Sequence, residues 1–370
     1  MARRWHTDIV MSIRHALVVL AVSVLSATPL RAQPAVATLN DTGWAKLQRG
    51  DGDGAARVFR EALDLRPDDP VLLFGAGVSA HLGGHPAEAV RHLRRALSIN
   101  PRLTSASRLL GEIAYSEGDT DLAIATYEAA LRFASDDVEI ANQLAAWRTE
   151  AQVHRSFEER RYDRFRVMFE GRADEQVAAR ATDVLNSAFW EIGRTIGAYP
   201  SNAIVVILYT ERQFRDITRA PEWSGGVYDG RIRIPTTGAS DAPELFNRVL
   251  VHELAHSVIS SITPQGVPAW LHEGIAQHFE RKDVEAARRR LKSAGRTIPL
   301  AKLERSFAPL SAVDAQIAYD ESLLAADVIF QRPGFGWMQL LNALADSDNA
   351  DRTLGTFGLS YADLETELAH

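Results

Sequence analysis

Cysteine is absent from all 370 residues of this chain. Its absence excludes disulfide bonds, a nucleophilic thiol, thiolate ligands for a metal ion and lipid attachment at a cysteine. The fold must therefore be stabilised by its hydrophobic core, or by a metal ion held by other ligands.

An excess of positive charge is also absent. The chain has 41 Lys and Arg against 48 Asp and Glu, a net charge of −7. Proteins that bind nucleic acid usually have a basic surface, so we expect no nucleic-acid partner. The apolar share of 46% is ordinary for a globular protein, and 370 residues suffice for two domains with cores of their own.

Long apolar runs are missing beyond the N-terminal region. There, basic residues precede the run HALVVLAVSVLSA, and the small-residue stretch Leu30-Arg31-Ala32 follows it. This order predicts a secretory signal peptide at residues 1–32, cleaved after Ala32, with Met11 as an alternative start. The other interpretation is an uncleaved anchor, but the run is shorter than the ~20 residues that a span needs. We expect a periplasmic or secreted protein with no membrane span after cleavage.

Residues 36–137 repeat with a period of 34. Five sets of positions keep this step: Gly43, Gly77 and Gly111; Gly50, Gly84 and Gly118; Ala55, Ala89 and Ala123; Phe59, Leu93 and Tyr127; and Ala62, Ala96 and Ala130. Pro67 and Pro101 keep it as well, with Ser135 in the third place. The pattern resembles the tetratricopeptide repeat, a helix–turn–helix unit. Trp44 and Leu47 of the first repeat are shifted from their usual places.

Residues 138–155 predict one more helix, which would cap the last repeat. The first domain is therefore expected to span 36–155, with three repeats and a capping helix. Such stacks bind peptides or protein partners on a concave face. A spacer, or a packing platform for the second domain, is the alternative, and the sequence does not decide between them.

The period disappears in the second domain, residues 157–370. Alternation and turn residues there predict a series of short elements. These are an amphipathic helix over 176–198, a buried strand over 202–209, a short helix over 211–219, a hairpin or edge strand over 225–235, and a helix over 243–262.

The helix over 243–262 carries the motif His-Glu-x-x-His. His252 and His256 are four residues apart, which places both imidazoles on one helix face, where they can bind one Zn²⁺ ion. Glu253 can then accept a proton from a water molecule that the metal activates. A catalytic zinc needs a third ligand, and Glu273 is the candidate, in a second helix expected to begin at Pro268.

His-Glu-x-x-His followed by Trp-Leu-x-Glu-Gly-x-Ala resembles the gluzincin metallopeptidases, most closely the bacterial peptidase MA-like domain. The resemblance covers about residues 200–365. It includes a Pro-Leu-x-x-Leu-x-x-x-Phe stretch at 299–307, a Tyr-x-x-Ser-Leu helix from Tyr319 and a final helix at 358–365. It implies an α-solenoid followed by an α+β thermolysin-like domain with a small sheet and a mostly helical C-terminal part. By this resemblance His252, His256 and Glu273 would be the metal ligands and Glu253 the general base.

His272 departs from the family, which usually has a small polar residue there. It could compete for the metal or lie behind a ligand. Glu280 and Asp283 are both candidates to orient a ligating imidazole, since such rings normally give their second N–H to a carboxylate or carbonyl. Four further histidines are expected to be solvated or part of the core: His81, His85, His92 and His278.

Related enzymes stabilise the oxyanion with a tyrosine or a histidine. Tyr319 is our candidate, with a packing role as its alternative, and Tyr228 is the second candidate. If the segment of Tyr228 is an edge strand beside the cleft, its backbone could bind an extended peptide by strand addition.

These observations lead to three hypotheses. The first is an exported zinc metallopeptidase, more an endopeptidase than an exopeptidase, whose repeats bind substrate or a partner. The second is a repeat scaffold with a catalytically inactive peptidase-like domain. A nonpeptide hydrolase is a third, because the motif specifies an activated water better than the bond it attacks.

Overall fold

The computed structural model describes residues 32–171, 174–220, 224–263, 266–345, 347 and 349–368. Except for Ala32, the expected signal peptide lies outside them. The chain divides into two compact units that follow each other in the sequence at Arg155 and Ser156. Within the described part of the chain, no helix combines the length and the apolar character that crossing a membrane requires.

The described residues of the first unit form helices joined by short turns, and each helix packs against the next along the chain. Its helices are α1 (Ala32–Leu47), α2 (Gly52–Leu65), α3 (Pro70–Leu82), α4 (Pro86–Ile99), α5 (Thr104–Ser116), α6 (Thr120–Leu131) and α7 (Val138–His154). The first six form three helical hairpins, so the expected α-solenoid of three repeats is present. Its last helix, α7, packs on α6 in the place of the expected cap.

The period of 34 has a direct steric reason. A Cβ atom on Gly43 would lie 2.7 Å from the ring of Phe59, and one on Gly77 would lie 2.8 Å from Leu93. The glycines that recur every 34 residues in the first helix of each repeat thus face the large residues that recur every 34 residues in the second helix. Because a side chain at either glycine would collide, the two helices of a repeat can approach only where the first has no Cβ.

The second unit contains a five-stranded sheet. Its strands are β1 (Phe157–Tyr162), β2 (Phe165–Glu170), β3 (Ile204–Tyr209), β4 (Val227–Tyr228) and β5 (Ile232–Pro235), in the spatial order β1-β2-β3-β5-β4. Strands β2, β3 and β5 run parallel to one another, while β1 and β4 are antiparallel edge strands. All six residues of β3 are buried, as its β-branched sequence predicts. The expected hairpin is β4 and β5, and the hairpin β1–β2 was not anticipated.

Helices make up the rest of this unit. They are α8 (Glu175–Ile196), α9 (Glu211–Thr218), α10 (Pro243–Ile262), α11 (Ala269–Phe279), α12 (Val284–Ala294), α13 (Ala312–Phe330), α14 (Trp337–Ala345), α15 (Ala350–Gly355) and α16 (Tyr361–Leu368). One core joins β2, β3 and β5 with α8, α10, α11 and α13. Helix α11 begins one residue later than expected, because Pro268 has an extended ψ of 135° and takes the position before the helix.

Candidate metal centre

Helix α10 presents its polar residues on one side and its apolar residues to the core. Leu250, Leu254 and Val258 are fully buried in the core of the second unit. Glu253 and His256 are also buried, with only 6% and 8% of their surface exposed. Polar groups at this depth need partners, because burying them without any costs free energy. For His256 these partners are His272 and Glu273 of helix α11 and His252 of its own helix.

The start of α11 is anchored by a network from the C-terminal part of the unit. Its first backbone N–H groups, of Ala269 and Trp270, donate to the carbonyls of Glu304 and Leu303 at 2.9 and 3.0 Å. The indole N–H of Trp270 donates to the hydroxyl of Tyr361 at 3.3 Å, and that hydroxyl donates to the Glu304 carboxylate at 2.8 Å. These bonds satisfy donors that a helix start leaves open. They also explain why the Pro-Leu-x-x-Leu stretch and the last helix accompany the motif.

Helix α11 lies unusually close to α13. A Cβ atom on Gly274 would overlap the backbone carbonyl of Ser322. One turn after Glu273, the side-chain amide of Gln277 donates to the carbonyl of Tyr319 at 2.9 Å. The glycine that follows Glu273 therefore permits the contact that fixes the rotation and height of Glu273 against α10.

His252, His256 and Glu273 converge on one point. The Nε2 atoms of the two histidines lie 3.1 Å apart, and Glu273 Oε2 lies 3.7 Å from His252 Nε2 and 3.4 Å from His256 Nε2. Two ligand atoms bound to one zinc ion at about 2.0–2.1 Å in tetrahedral geometry are about 3.3 Å apart. The donor types and their spacing therefore fit a zinc ion, and these three residues form a group able to hold a metal.

The charge around the cluster favours a cation. Burial lowers the pKa of His252, but hydrogen bonds to Glu273 and Glu280 and the nearby charge of Glu253 outweigh it and raise that pKa to about 10. Burial raises the pKa of Glu253 to about 7; His252 opposes this, while Glu273, Glu280 and Asp229 add to it. Several carboxylates thus surround two imidazoles in a buried place, and the negative charge that favours a proton there also favours a metal cation.

The second nitrogen of His252 meets a carboxylate. His252 Nδ1 lies 3.0 Å from Glu280 Oε2, and Lys282 Nζ lies 2.8 Å from the other oxygen of Glu280. Burial raises the pKa of Glu280, but its bonds to His252 and Lys282 prevail and lower it. Asp283, the other candidate, instead caps helix α12 by accepting from the N–H of Ala286 at 2.9 Å. The structure thus assigns the orienting contact to Glu280. The sequence alone could not decide between Glu280 and Asp283.

The edge strand β4 lies against the candidate general base. A Cβ atom on Gly226 would lie 2.9 Å from Glu253 Cγ and 2.8 Å from both Val249 Cγ1 and Ile234 Cδ1. Gly226 immediately precedes β4, the outermost strand of the described sheet on this side. Backbone without a side chain can therefore reach the reaction centre that the sequence motif predicts.

The two candidate tyrosines occupy different places. Tyr228 is the last residue of β4 and pairs with Ile232 of β5, two residues from the glycine that contacts Glu253. Tyr319 lies on α13, with its ring 5.3 Å from that of Phe307. The contact to Phe307 supports packing for Tyr319, and its role as an electrophile remains a prediction. His278, expected in the core or in solvent, stacks on Phe330 with ring centroids 3.6 Å apart.

Two family profiles match the chain, one in each compact unit. The profile of the Peptidase MA superfamily matches residues 185–369, half of the chain. The chain belongs to this superfamily. A tetratricopeptide repeat profile matches residues 40–103 and 83–138, in the first unit. The superfamily match includes all three converging side chains and the network that anchors α11.

Among solved structures, the first tetratricopeptide repeat domain of Spaghetti (RPAP3), bound to an HSP90 peptide, is similar to the chain. The alignment covers 32% of this chain and 95% of that one, at 20% sequence identity and a TM-score of 0.30. No curated protein matches the sequence. The Peptidase MA superfamily domain and the repeats are thus shown by the profiles.

Proposed function

We propose that this chain is an exported, zinc-dependent peptidase that cleaves within polypeptide chains. The observation that carries the proposal is the convergence of His252 Nε2, His256 Nε2 and Glu273 Oε2 in a member of the Peptidase MA superfamily. Three protein ligands leave a fourth position for water, the arrangement of a catalytic zinc site. The N-terminal sequence, with its signal-like order of basic and apolar residues, supports export.

Glu253 would move the proton in this reaction. Zinc, when bound, would lower the pKa of a water molecule and polarise the scissile carbonyl. Glu253 accepts the proton of the attacking water and donates it to the leaving amine, so the peptide bond breaks into a carboxylate and an amine. Only 6% of the surface of Glu253 is exposed, and its side chain lies against Gly226, so bulk water would have little access to this proton. Tyr319 or Tyr228 would donate to the developing oxyanion.

A peptide substrate fits the edge of the sheet. Strand β4 is antiparallel to β5 and has no further strand on its outer side among the described residues. An extended peptide could add there as the next strand and would pass beside Glu253. Main-chain bonding of this kind recognises a polypeptide rather than its free end, which favours an endopeptidase. The repeats would recruit the substrate or a protein partner.

The deciding experiment is metal analysis of protein starting at Gln33. We expect about one zinc per wild-type chain, and far less in Glu273→Ala, because a catalytic zinc site needs its third protein ligand. Glu285→Ala, which removes an exposed carboxylate from α12, is the matched control and should keep its zinc. Glu253→Gln should also keep zinc while losing cleavage of a broad peptide library.

Two other outcomes of these experiments would favour a different function. Folded wild-type protein that takes up no zinc, even after reconstitution, would favour the repeat scaffold with an inactive peptidase-like domain. Zinc binding without cleavage of any peptide, but with hydrolysis of other bonds, would favour a nonpeptide hydrolase.

A further inference from the structure

The second nitrogen of His256 faces another imidazole. His256 Nδ1 lies 2.6 Å from Nδ1 of His272, and both residues are 92% buried, with 8% of their surface exposed. The ring centroids lie 4.6 Å apart, much farther than the facing nitrogens, so the rings meet edge to edge. In most ligating histidines the N–H of the second ring nitrogen donates a hydrogen bond to a carboxylate, a carbonyl or water. An imidazole in that place is a departure that needs a reason.

The proton positions follow from the geometry. His256 Nε2 is the atom that faces His252 and Glu273, so a metal ligand role requires Nε2 to be unprotonated. The neutral ring then holds its proton on Nδ1. Because two N–H groups cannot face each other at 2.6 Å, His272 Nδ1 must be the acceptor. Neutral His272 consequently holds its own proton on Nε2.

The far side of His272 is held as well. Ser260 Oγ lies 3.4 Å from His272 Nε2, where it can accept a hydrogen bond from that N–H. Ser260 lies one helical turn after His256 on α10, and His272 directly precedes Glu273 on α11. One imidazole thus bridges the two helices that supply the candidate ligands. Both ring nitrogens of His272 have a contact, Nδ1 with His256 and Nε2 with Ser260. His272 therefore lies on the side of His256 that faces away from the converging donor atoms.

We propose that His272 is a positioning residue that fixes the tautomer and ring orientation of His256, so that Nε2 points at the metal. The inference rests on the proposed zinc site and settles the choice left open by the sequence, because His272 lies behind a ligand and is not itself one. The two histidine ligands are then supported unequally. His252 donates to the anionic Glu280, and His256 donates to a neutral ring.

The test compares His272→Leu with His272→Asn in the full chain. Zinc dissociation constants, measured by competition with a chelator, should rise about 10–100-fold in the leucine variant, which has no acceptor for His256 Nδ1. The asparagine carbonyl can accept a hydrogen bond from the His256 Nδ1–H, so His272→Asn should recover most of the affinity. His278→Leu, a histidine of the same helix that stacks on Phe330, is the matched control and should bind zinc like the wild type.

Two readouts separate positioning from mere folding. The visible spectrum of the cobalt-substituted protein should change in His272→Leu and resemble the wild type in His272→Asn. In ¹⁵N-histidine-labelled wild type loaded with zinc, the ring nitrogens should report His272 protonated on Nε2 and unprotonated on Nδ1. This second measurement needs no variant and is decisive even if His272→Leu does not fold.

Two results would overturn the inference. Equal zinc affinity and an unchanged cobalt spectrum in His272→Leu, or a His272 protonated on Nδ1, would remove it while leaving the zinc site intact. Failure of the wild type to bind zinc would instead overturn the proposed function, and the inference with it.

Discussion

At the scale of single residues, the carboxylate that accepts from His252 gives a direct test of how the site is supported. Glu280→Gln keeps the shape of the side chain but removes its negative charge beside His252 Nδ1, 3.0 Å away. We expect the zinc dissociation constant to rise about 10–100-fold, because an outer carboxylate orients the ring and raises its basicity. Chelator competition measures this constant.

Asp283→Asn is the control, since it also replaces a carboxylate by an amide, three residues further along the chain. Asp283 caps α12, and asparagine caps a helix about as well as aspartate. Zinc affinity should therefore stay within about twofold of the wild type. Equal losses in both variants would mean that general negative charge, and not the contact to His252, supports the site.

A buried carboxylate away from the candidate ligands makes stability depend on pH. Glu321 is fully buried on α13; its Oε1 accepts from the N–H of Ile298 at 2.7 Å, and its Oε2 has no hydrogen-bond partner among the described residues. Burial raises its pKa to about 7; the Ile298 N–H and Arg296 oppose this, and Glu365 adds to it. The folded protein thus holds this proton more tightly than the unfolded chain does.

The sign follows from that difference. The protonated Glu321 side chain contributes fully to stability below pH 4.5. As the pH rises through 7 the side chain ionises and this contribution is lost, which lowers the free energy of unfolding by up to about 3 kcal/mol. Glu321→Gln abolishes the dependence. The melting temperature of the variant should exceed that of the wild type by more at pH 8 than at pH 5, in the same metal state. A constant difference between the two pH values would contradict the prediction.

Single residues also show how far the sequence could define the site. The spacing of His252 and His256 predicts two imidazoles on one face, and the motif around Glu273 predicts the third donor that the structure brings to them. The roles of Glu280 and His272 depend on how α10 and α11 pack. Separations of 28 residues, from His252 to Glu280, and of 16 residues, from His256 to His272, contain no such information, so the sequence left those assignments open.

At the scale of elements, the contact between α11 and α13 determines where Glu273 lies. Gly274→Ala would place a methyl group on the carbonyl of Ser322, which is backbone and cannot rotate away. We expect a loss of about 1–3 kcal/mol in the free energy of unfolding, as for other overpacked sites, together with weaker zinc binding. Thermal unfolding and chelator competition measure the two effects.

Gly355→Ala gives the matched control. Gly355 lies at the end of α15, and a Cβ atom there meets no atom within 4 Å. Alanine should therefore be neutral or stabilise the protein by up to about 1 kcal/mol, because it favours the helix. Similar stability of the two variants would show that α11 can shift away from α13 at little cost.

At the scale of the whole molecule, the repeats and the peptidase-like part were predictable for different reasons. A period of 34 indicates the solenoid because each repeat has the same helix–helix contact and needs a small residue opposite a large one. Gly43 against Phe59 and Gly77 against Leu93 are examples. The hairpin β1–β2 was not anticipated because β1, with sequence FEERRY, has four consecutive exposed residues and no apolar alternation. Its pairing with β2 gives it a place in the sheet that its own pattern does not indicate.

The compact unit that begins at Ser156 should fold independently of the repeats. Fragment 156–370 contains the whole five-stranded sheet and all candidate ligands, and its core is separate from those of the repeats. It should fold alone and bind zinc within about threefold of the full chain, while fragment 33–155 should be helical and bind none. Circular dichroism and chelator competition measure both properties.

Fragment 185–370, which starts where the superfamily match begins, is the control. It lacks β2 and with it Phe165, Val167 and Phe169, all fully buried in the core. Each such side chain contributes about 1.5–3 kcal/mol by its burial, and the total is comparable to the stability of a whole domain. We therefore expect this fragment to be unfolded or aggregated. If it folded and bound zinc as tightly as fragment 156–370, the β1–β2 hairpin would be an addition to the peptidase-like unit and not part of its core.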